Sequence, residues 1–138
     1  MDMKYYYRTS AGKVVELEEQ YELNLYFKNI VELVVPDSCE IVRCWNNKLK
    51  ELIIPDGCKE VYCYNNQLTK LIIPDGCKYV NCGDNQLKEL IIPNGCEDVW
   101  CYNNQLKELI IPDGCKDVCV DMKSVTELNK VDDLSLQI

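Results

Sequence analysis

The chain has 138 residues, 28% of them charged, with 15 basic against 23 acidic side chains and a net charge of −8. That length suffices for one domain with a continuous core, and the acidic balance speaks against nucleic acid or an anionic membrane surface as partner, since both favour a basic footprint. No run approaches the roughly 20 apolar residues of a membrane span, and the amino terminus, Met1-Asp2-Met3-Lys4-Tyr5-Tyr6-Tyr7, lacks the apolar core of a secretory signal, so a soluble, cytoplasmic protein is expected.

In chain order, Lys4–Thr9 and Lys13–Leu17 flank Ser10-Ala11-Gly12. This reads as a β-hairpin capping the amino end of the core, and residues 1–22 are assigned to it. Leu23, Leu25, Ile30, Leu33 and Val35 fit a divergent first repeat. From there Pro36, Pro55, Pro74, Pro93 and Pro112 recur every 19 residues and carry their surroundings with them. Self-similarity at such a period means stacked coils, here over residues 23–131.

Each coil is predicted from its own residues. Val61 and Cys63 alternate with Tyr62 and Tyr64, the period of a short strand with one face buried, so every coil should add one strand to a parallel sheet. Asn47, Asn66, Asn85 and Asn104 follow the strand where the chain turns inward. Their amides can satisfy backbone groups there, and stacked they would form an asparagine ladder. The return stretch Leu68-x-x-Leu71-x-Ile73-Pro74-Asp75-Gly76 is too short and too rich in Ile and Pro for a helix. Its Pro-Asp-Gly corner suits a tight turn with the proline pre-setting the backbone.

At the carboxy end Val125, Leu128 and Leu134 keep the period, while Lys123 stands at the asparagine position and Val131 at the proline position. Residues 132–138 are expected to cap the array, with Leu134, Leu136 and Ile138 in a last strand that stops the open edge.

The phrase Cys58-x-x-Val61-x-Cys63-x-x-Asn66-x-Leu68, repeated from Cys77 and from Cys96, resembles the leucine-rich-repeat signature L-x-x-L-x-L-x-x-N-x-L with cysteine at two leucine positions. The short period and the Ile-Ile-Pro-Asp-Gly-Cys phrase are most similar to the repeats of giant-virus and bacterial leucine-rich-repeat proteins. The resemblance implies a leucine-rich-repeat solenoid: a parallel β-sheet on the concave or flat face, an extended or irregular convex side, an N-terminal hairpin cap and a degenerate C-terminal cap. If the source is viral, the location would be the host cytoplasm.

The ten cysteines follow the repeat. Cys39, Cys58, Cys77, Cys96 and Cys115 occupy one inward position and Cys44, Cys63, Cys82 and Cys101 another, where reduced thiols pack as small apolar groups. Inter-coil disulfides are the sharper alternative, since parallel strands lie about 4.8 Å apart. Zinc is disfavoured because there is no histidine and no C-x-x-C pair. Cys119 falls at an outward position with no base or cation beside it in the sequence, and is expected to be covered by the cap rather than reactive.

The outward strand positions are where a solenoid offers a supported surface. One column reads Arg43, Tyr62, Asn81, Trp100, Cys119 and the next Trp45, Tyr64, Gly83, Tyr102, Asp121. Arg43, Trp45, Tyr62, Tyr64, Asn81, Gly83, Trp100 and Tyr102 are therefore the candidate partner-binding residues. Aromatics of this kind are enriched at interface hot spots, although exposed aromatics can also serve cross-strand packing. Asn81 and Gly83 interrupt them, which predicts a notch walled by Tyr62, Tyr64, Trp100 and Tyr102. The corner carboxylates Asp37, Asp56, Asp75, Asp113 and Asp132 are explained by their turns, and a solvated acidic ridge is favoured over a cation site.

With no histidine, no phosphate-binding glycine loop and no metal-ligand spacing, no catalytic set assembles and no cofactor is expected. The leading expectation is a non-catalytic protein-interaction module. The alternative is a structural or self-associating protein, a homodimer included. Sugar stacking and ice binding rank behind these, and the irregular outward column opposes the latter.

Overall fold

The computed structural model describes residues 3–121, 125, 127–130 and 135–137. Fifteen short strands and no helix appear among them, hence no helix able to cross a membrane. The hairpin is β1 (Tyr6–Thr9) and β2 (Val14–Glu16), paired antiparallel. Each coil then supplies one strand to each of two sets. One set is β3 (Glu22–Asn24), β5 (Ile41–Arg43), β7 (Glu60–Tyr62), β9 (Tyr79–Asn81), β11 (Asp98–Trp100), β13 (Asp117–Cys119) and β15 (Ser135–Gln137). The return set is β4 (Ile30–Val34), β6 (Glu51–Ile53), β8 (Lys70–Ile72), β10 (Glu89–Ile91), β12 (Glu108–Ile111) and β14 (Glu127–Lys130).

The first set forms one seven-stranded parallel sheet in the order β15-β13-β11-β9-β7-β5-β3. Its register steps by one repeat, so Val42, Val61, Val80, Val99 and Val118 stand side by side. The last step is one residue shorter, with Ser135 opposite Asp117. Leu136 lies in β15; Val131, Asp132, Leu134 and Ile138 fall outside the described residues.

The return side is extended, as expected, and in places it is also a sheet. β6 pairs with β8, β10 with β12 and β12 with β14, all parallel. No ladder joins β8 to β10. A groove of about 570 Å³ opens there, and the inward positions Leu71 and Ile73 are only half-buried beside it. β1 runs antiparallel to β4, so the hairpin lies against the return side of the first coil. Tyr5 and Tyr7 are buried, and Tyr5 donates to Asp37 Oδ2 at 2.9 Å.

Between the two sets lies a narrow core of stacked columns. Leu49, Leu52, Leu68, Leu87, Leu106 and Leu109 are essentially inaccessible, as are both inward cysteine columns. Half-width residues fit because each short coil leaves little room between its strand and its return.

The corners differ in one detail from the expectation. The amide of Cys58 donates to the carbonyl of Pro55, and the same bond recurs from Cys77 to Pro74 and from Cys96 to Pro93. Proline is thus the first residue of the turn and does not set its central angle. The third residue, Gly57, Gly76, Gly95 or Gly114, takes a φ between 82° and 91°, the value a type II turn requires there. In the first coil Ser38 holds that place without a positive φ.

Candidate partner-binding face

The outward side of the seven-stranded sheet is held rigid by the asparagine ladder beneath its edge. Asn66 Oδ1 accepts from the amide of Leu49 at 3.0 Å, while its Nδ2 donates to the carbonyls of Cys44 and Cys63 at 3.0 and 3.1 Å. Asn85 repeats this with Leu68, Cys63 and Cys82, and Asn104 with Leu87, Cys82 and Cys101. Every amide therefore ties its own coil to the preceding one. No buried side-chain nitrogen or oxygen lacks a partner among the described residues.

Just before each of these asparagines the chain enters the left-handed region. Asn46, Asn65, Asp84 and Asn103 have φ between 51° and 57°, a conformation that Asn and Asp tolerate best after glycine. The first coil places Phe27 there at φ 55°, with 69% of its surface exposed. An exposed phenylalanine in a strained conformation is not something the fold requires.

The outward aromatics divide into two groups. Tyr26, Trp45 and Tyr64 form a stack, with ring centroids 4.7 and 5.3 Å apart and planes within 6° of parallel. Phe27 meets Tyr26 edge-on. Rings in this arrangement spend their faces on one another, which serves cross-strand cohesion and leaves less ring face for a sugar. The stack ends at Gly83, because Tyr102 leans across it: a Cβ at Gly83 would stand 2.6 and 2.7 Å from Cε1 and Cε2 of Tyr102. Half of the expected notch is therefore filled. The space that Gly83 frees is taken by its neighbour's ring, since an apolar gap beside an aromatic side chain closes wherever a rotamer allows it.

The other half remains open, and its walls are different. A cavity of about 180 Å³ is lined by Tyr62, Tyr79, Val80, Asn81, Asp98 and Trp100. Trp100 is 50% exposed, whereas Asn81 is only 8% exposed and forms the floor, its Oδ1 accepting from the amide of Gly83 at 3.2 Å. A shallower hollow of about 350 Å³ continues from Trp100, Asn81 and Tyr62 to Tyr64, Trp45 and Arg43. Arg43 itself is engaged with Glu22 at 3.1 Å and with Asn24 at 3.0 Å. The face thus brings together Arg43, Trp45, Tyr62, Tyr64, Asn81 and Trp100, and sets Gly83 and Tyr102 apart as a closed pair.

Tyr26, Phe27 and Tyr79 escaped the sequence reading. The 19-residue period would have found them: Tyr26 precedes Trp45, and Phe27 precedes Asn46, by one coil, and Tyr79 stands in a third outward column with Glu22, Ile41, Glu60, Asp98 and Asp117. That column makes one flank of the face acidic. Tyr62 donates to Glu60 Oε1 at 2.6 Å, and burial together with that carboxylate pushes its hydroxyl up to about 12. Burial, with the Asp117 carboxylate behind it, raises Asp98 above the ordinary aspartate range.

Nine cysteines are buried and Cys119 is half-buried. Burial pushes the thiols of Cys44 and Cys82 up to about 12 and that of Cys39 up to about 11. Hydrogen bonding to Cys58, with burial behind it, also drives Cys77 up. Such thiols are poor nucleophiles. Asp37, Asp56, Asp75 and Asp113 are exposed at the corners, and among the described residues no three Cys, Asp or Glu side chains converge as a metal site.

Nineteen-residue coils, a seven-stranded parallel sheet, an asparagine ladder and an extended return define a leucine-rich-repeat fold. The chain superposes on YopM from Yersinia enterocolitica WA-314 with a TM-score of 0.80 at 21% sequence identity, over 88% of this chain and 29% of that one. It therefore spans under a third of the length of the solved chain it matches. No family model and no curated protein matches the sequence.

Proposed function

We propose that the chain is a non-catalytic protein-interaction module whose binding surface is the outward side of the seven-stranded sheet. The observation that carries this reading is the open aromatic hollow from Trp45 and Tyr64 to Tyr62 and Trp100, at whose edge Trp100 is half exposed. The inward columns fill the core without these rings. Large, stiff aromatic side chains on a rigid support lose little conformational entropy on binding, which is why they dominate interface energetics. The leucine-rich-repeat fold itself supports a protein partner in general. The two buried cysteine columns support a reducing, cytoplasmic setting, where such thiols persist as small apolar groups.

The test is affinity capture from cytosolic lysate with wild type beside Tyr64→Ala/Trp100→Ala, after light scattering has fixed the oligomeric state. A partner retained by wild type and lost by the variant, with unchanged thermal unfolding of both, is the expected result. An identical captured set would remove the sheet face from consideration, and a stable homo-oligomer that buries this face would make self-association its role.

A further inference from the structure

The cavity over Asn81 has the composition of a cation site. Tyr62, Asn81 and Trp100 stand directly opposite one another on three adjacent strands, so a guest above Asn81 lies about one strand spacing, ~4.8 Å, from each flanking wall position. That is inside the roughly 6 Å over which an aromatic ring attracts an ammonium or guanidinium group. Tyr79, from the neighbouring outward column, supplies a third ring, and Asp98 brings a carboxylate to the same cavity.

The surrounding charge is unbalanced in the same sense. Glu60 and Asp117 flank the notch in the column of Tyr79 and Asp98. Glu97 is met by Lys116 at 3.4 Å, and Arg43 is committed to Glu22. Among the described residues no lysine or arginine lies within 4.0 Å of the carboxylates of Glu60, Asp98 or Asp117. The negative field of Glu97, together with burial, raises the Tyr79 hydroxyl, with smaller contributions from Asp98 and Glu60. An anionic guest would be repelled. A neutral sugar would find few free hydrogen-bonding groups, because the oxygen of Asn81 already serves Gly83. At about 180 Å³ the space suits one side-chain head group.

We infer that the notch formed by Tyr62, Tyr79, Trp100, Asn81 and Asp98 seats a lysine or arginine side chain from a basic segment of the partner protein, an inference that rests on the sheet face being the interface. The ring faces supply attraction that needs no ion pair, and the carboxylates select for positive charge. The acidic chain as a whole favours encounter with a basic segment at low salt.

The chain has two tryptophans, which makes the test direct. The side-chain indole N–H signals of Trp100 and Trp45 are followed by NMR in the full chain while tripeptides acetyl-Ala-X-Ala-amide are added, with X as lysine, trimethyllysine, arginine, acetyllysine or norleucine. The cationic peptides are expected to shift the Trp100 signal saturably with Trp45 nearly still, and acetyllysine and norleucine to do neither. Tyr79→Ala should weaken the cationic peptides roughly three- to tenfold, and the isosteric Asp98→Asn about threefold. Equal response to neutral peptides, or no saturation by any cationic one, overturns the inference. Capture lost in Tyr64→Ala/Trp100→Ala yet kept in Tyr79→Ala/Asp98→Asn would leave the face as the interface and remove the cation from it. Concentration-dependent self-association abolished by Asp98→Asn would overturn the choice of a foreign segment, because the occupant would then be a lysine or arginine of a second copy.

Discussion

Tyr102 lies flat enough over Gly83 that no side chain fits at position 83 while the ring stays where it is. Gly83 has no positive φ, so its absence of a Cβ serves space and not backbone freedom. Gly83→Ala should therefore destabilise the protein by about 1–3 kcal/mol, the usual cost of overpacking, and Tyr102→Ala added to it should recover most of that loss. Denaturant unfolding of the two variants checks this; equal loss in the single and the double variant would mean that the ring is not the obstacle.

Asn85 carries three roles at once, accepting from Leu68 and donating to Cys63 and Cys82. Its truncation to alanine leaves the buried amide of Leu68 unpaired, at about 1–3 kcal/mol, while the carbonyls of Cys63 and Cys82 keep Asn66 and Asn104 as donors. Asn85→Ala should cost about 1–3 kcal/mol, and should raise amide exchange in β7 and β9 before it does so in β1. Uniform exchange across the chain would count against a coil-to-coil clamp.

Phe27 pays for its left-handed backbone without burial in return. Phe27→Asn gives the first coil the residue type that Asn46, Asn65 and Asn103 provide in later ones, and should raise stability by about 1 kcal/mol. A thermal melt decides it, and a lowered midpoint would show that the edge contact with Tyr26 outweighs the strain.

The buried thiols set an alkaline limit. Cys44 and Cys82 are pushed from 9.0 up to about 12 in the folded chain. The folded state holds its protons more tightly than the unfolded one between those values, so the contribution of these thiols to stability is complete below about pH 9 and is lost as pH rises toward 12. Unfolding midpoints should fall over that window and recover in Cys44→Ala/Cys82→Ala measured relative to its own neutral value. At about pH 8 a disulfide reagent should label Cys119 well before the other nine, and all ten together only after denaturation.

Asp98 acts in the opposite range. Burial, then hydrogen bonding and charge from Asp117, then the Glu97 charge, hold its folded pKa above the unfolded value, with Lys116 opposing them. The folded state therefore retains this proton longer, and the ionised carboxylate lowers stability as pH rises through the folded pKa. Asp98→Asn should be neutral or mildly stabilising at neutral pH, with wild type drawing level on acidification. Denaturant midpoints across that range test it, and a variant weaker at neutral pH would contradict the sign.

Much of the coil was legible because its determinants are local. The 19-residue step, the inward Val and Cys positions, Asn66 and its equivalents, and the Gly76-type corners each follow from a few neighbouring residues and from the rule that like stacks on like. The antiparallel seat of β1 on β4, the gap between β8 and β10 and the shortened step to β15 were not legible. They depend on how the ends and the return side meet coils whose sequence gives the same pattern each time. The candidate site divided in the same way. Sequence by itself determined that Tyr62, Tyr64, Trp45 and Trp100 point outward, since strand alternation fixes the side on which a Cα–Cβ bond leaves the sheet. Only the tertiary structure decided that Tyr26, Trp45 and Tyr64 stack, that Tyr102 closes the space above Gly83, and that Tyr79 and Asp98 join Trp100 around Asn81, because a long ring chooses its rotamer by competing for volume with residues one coil away, and that competition has no local signature.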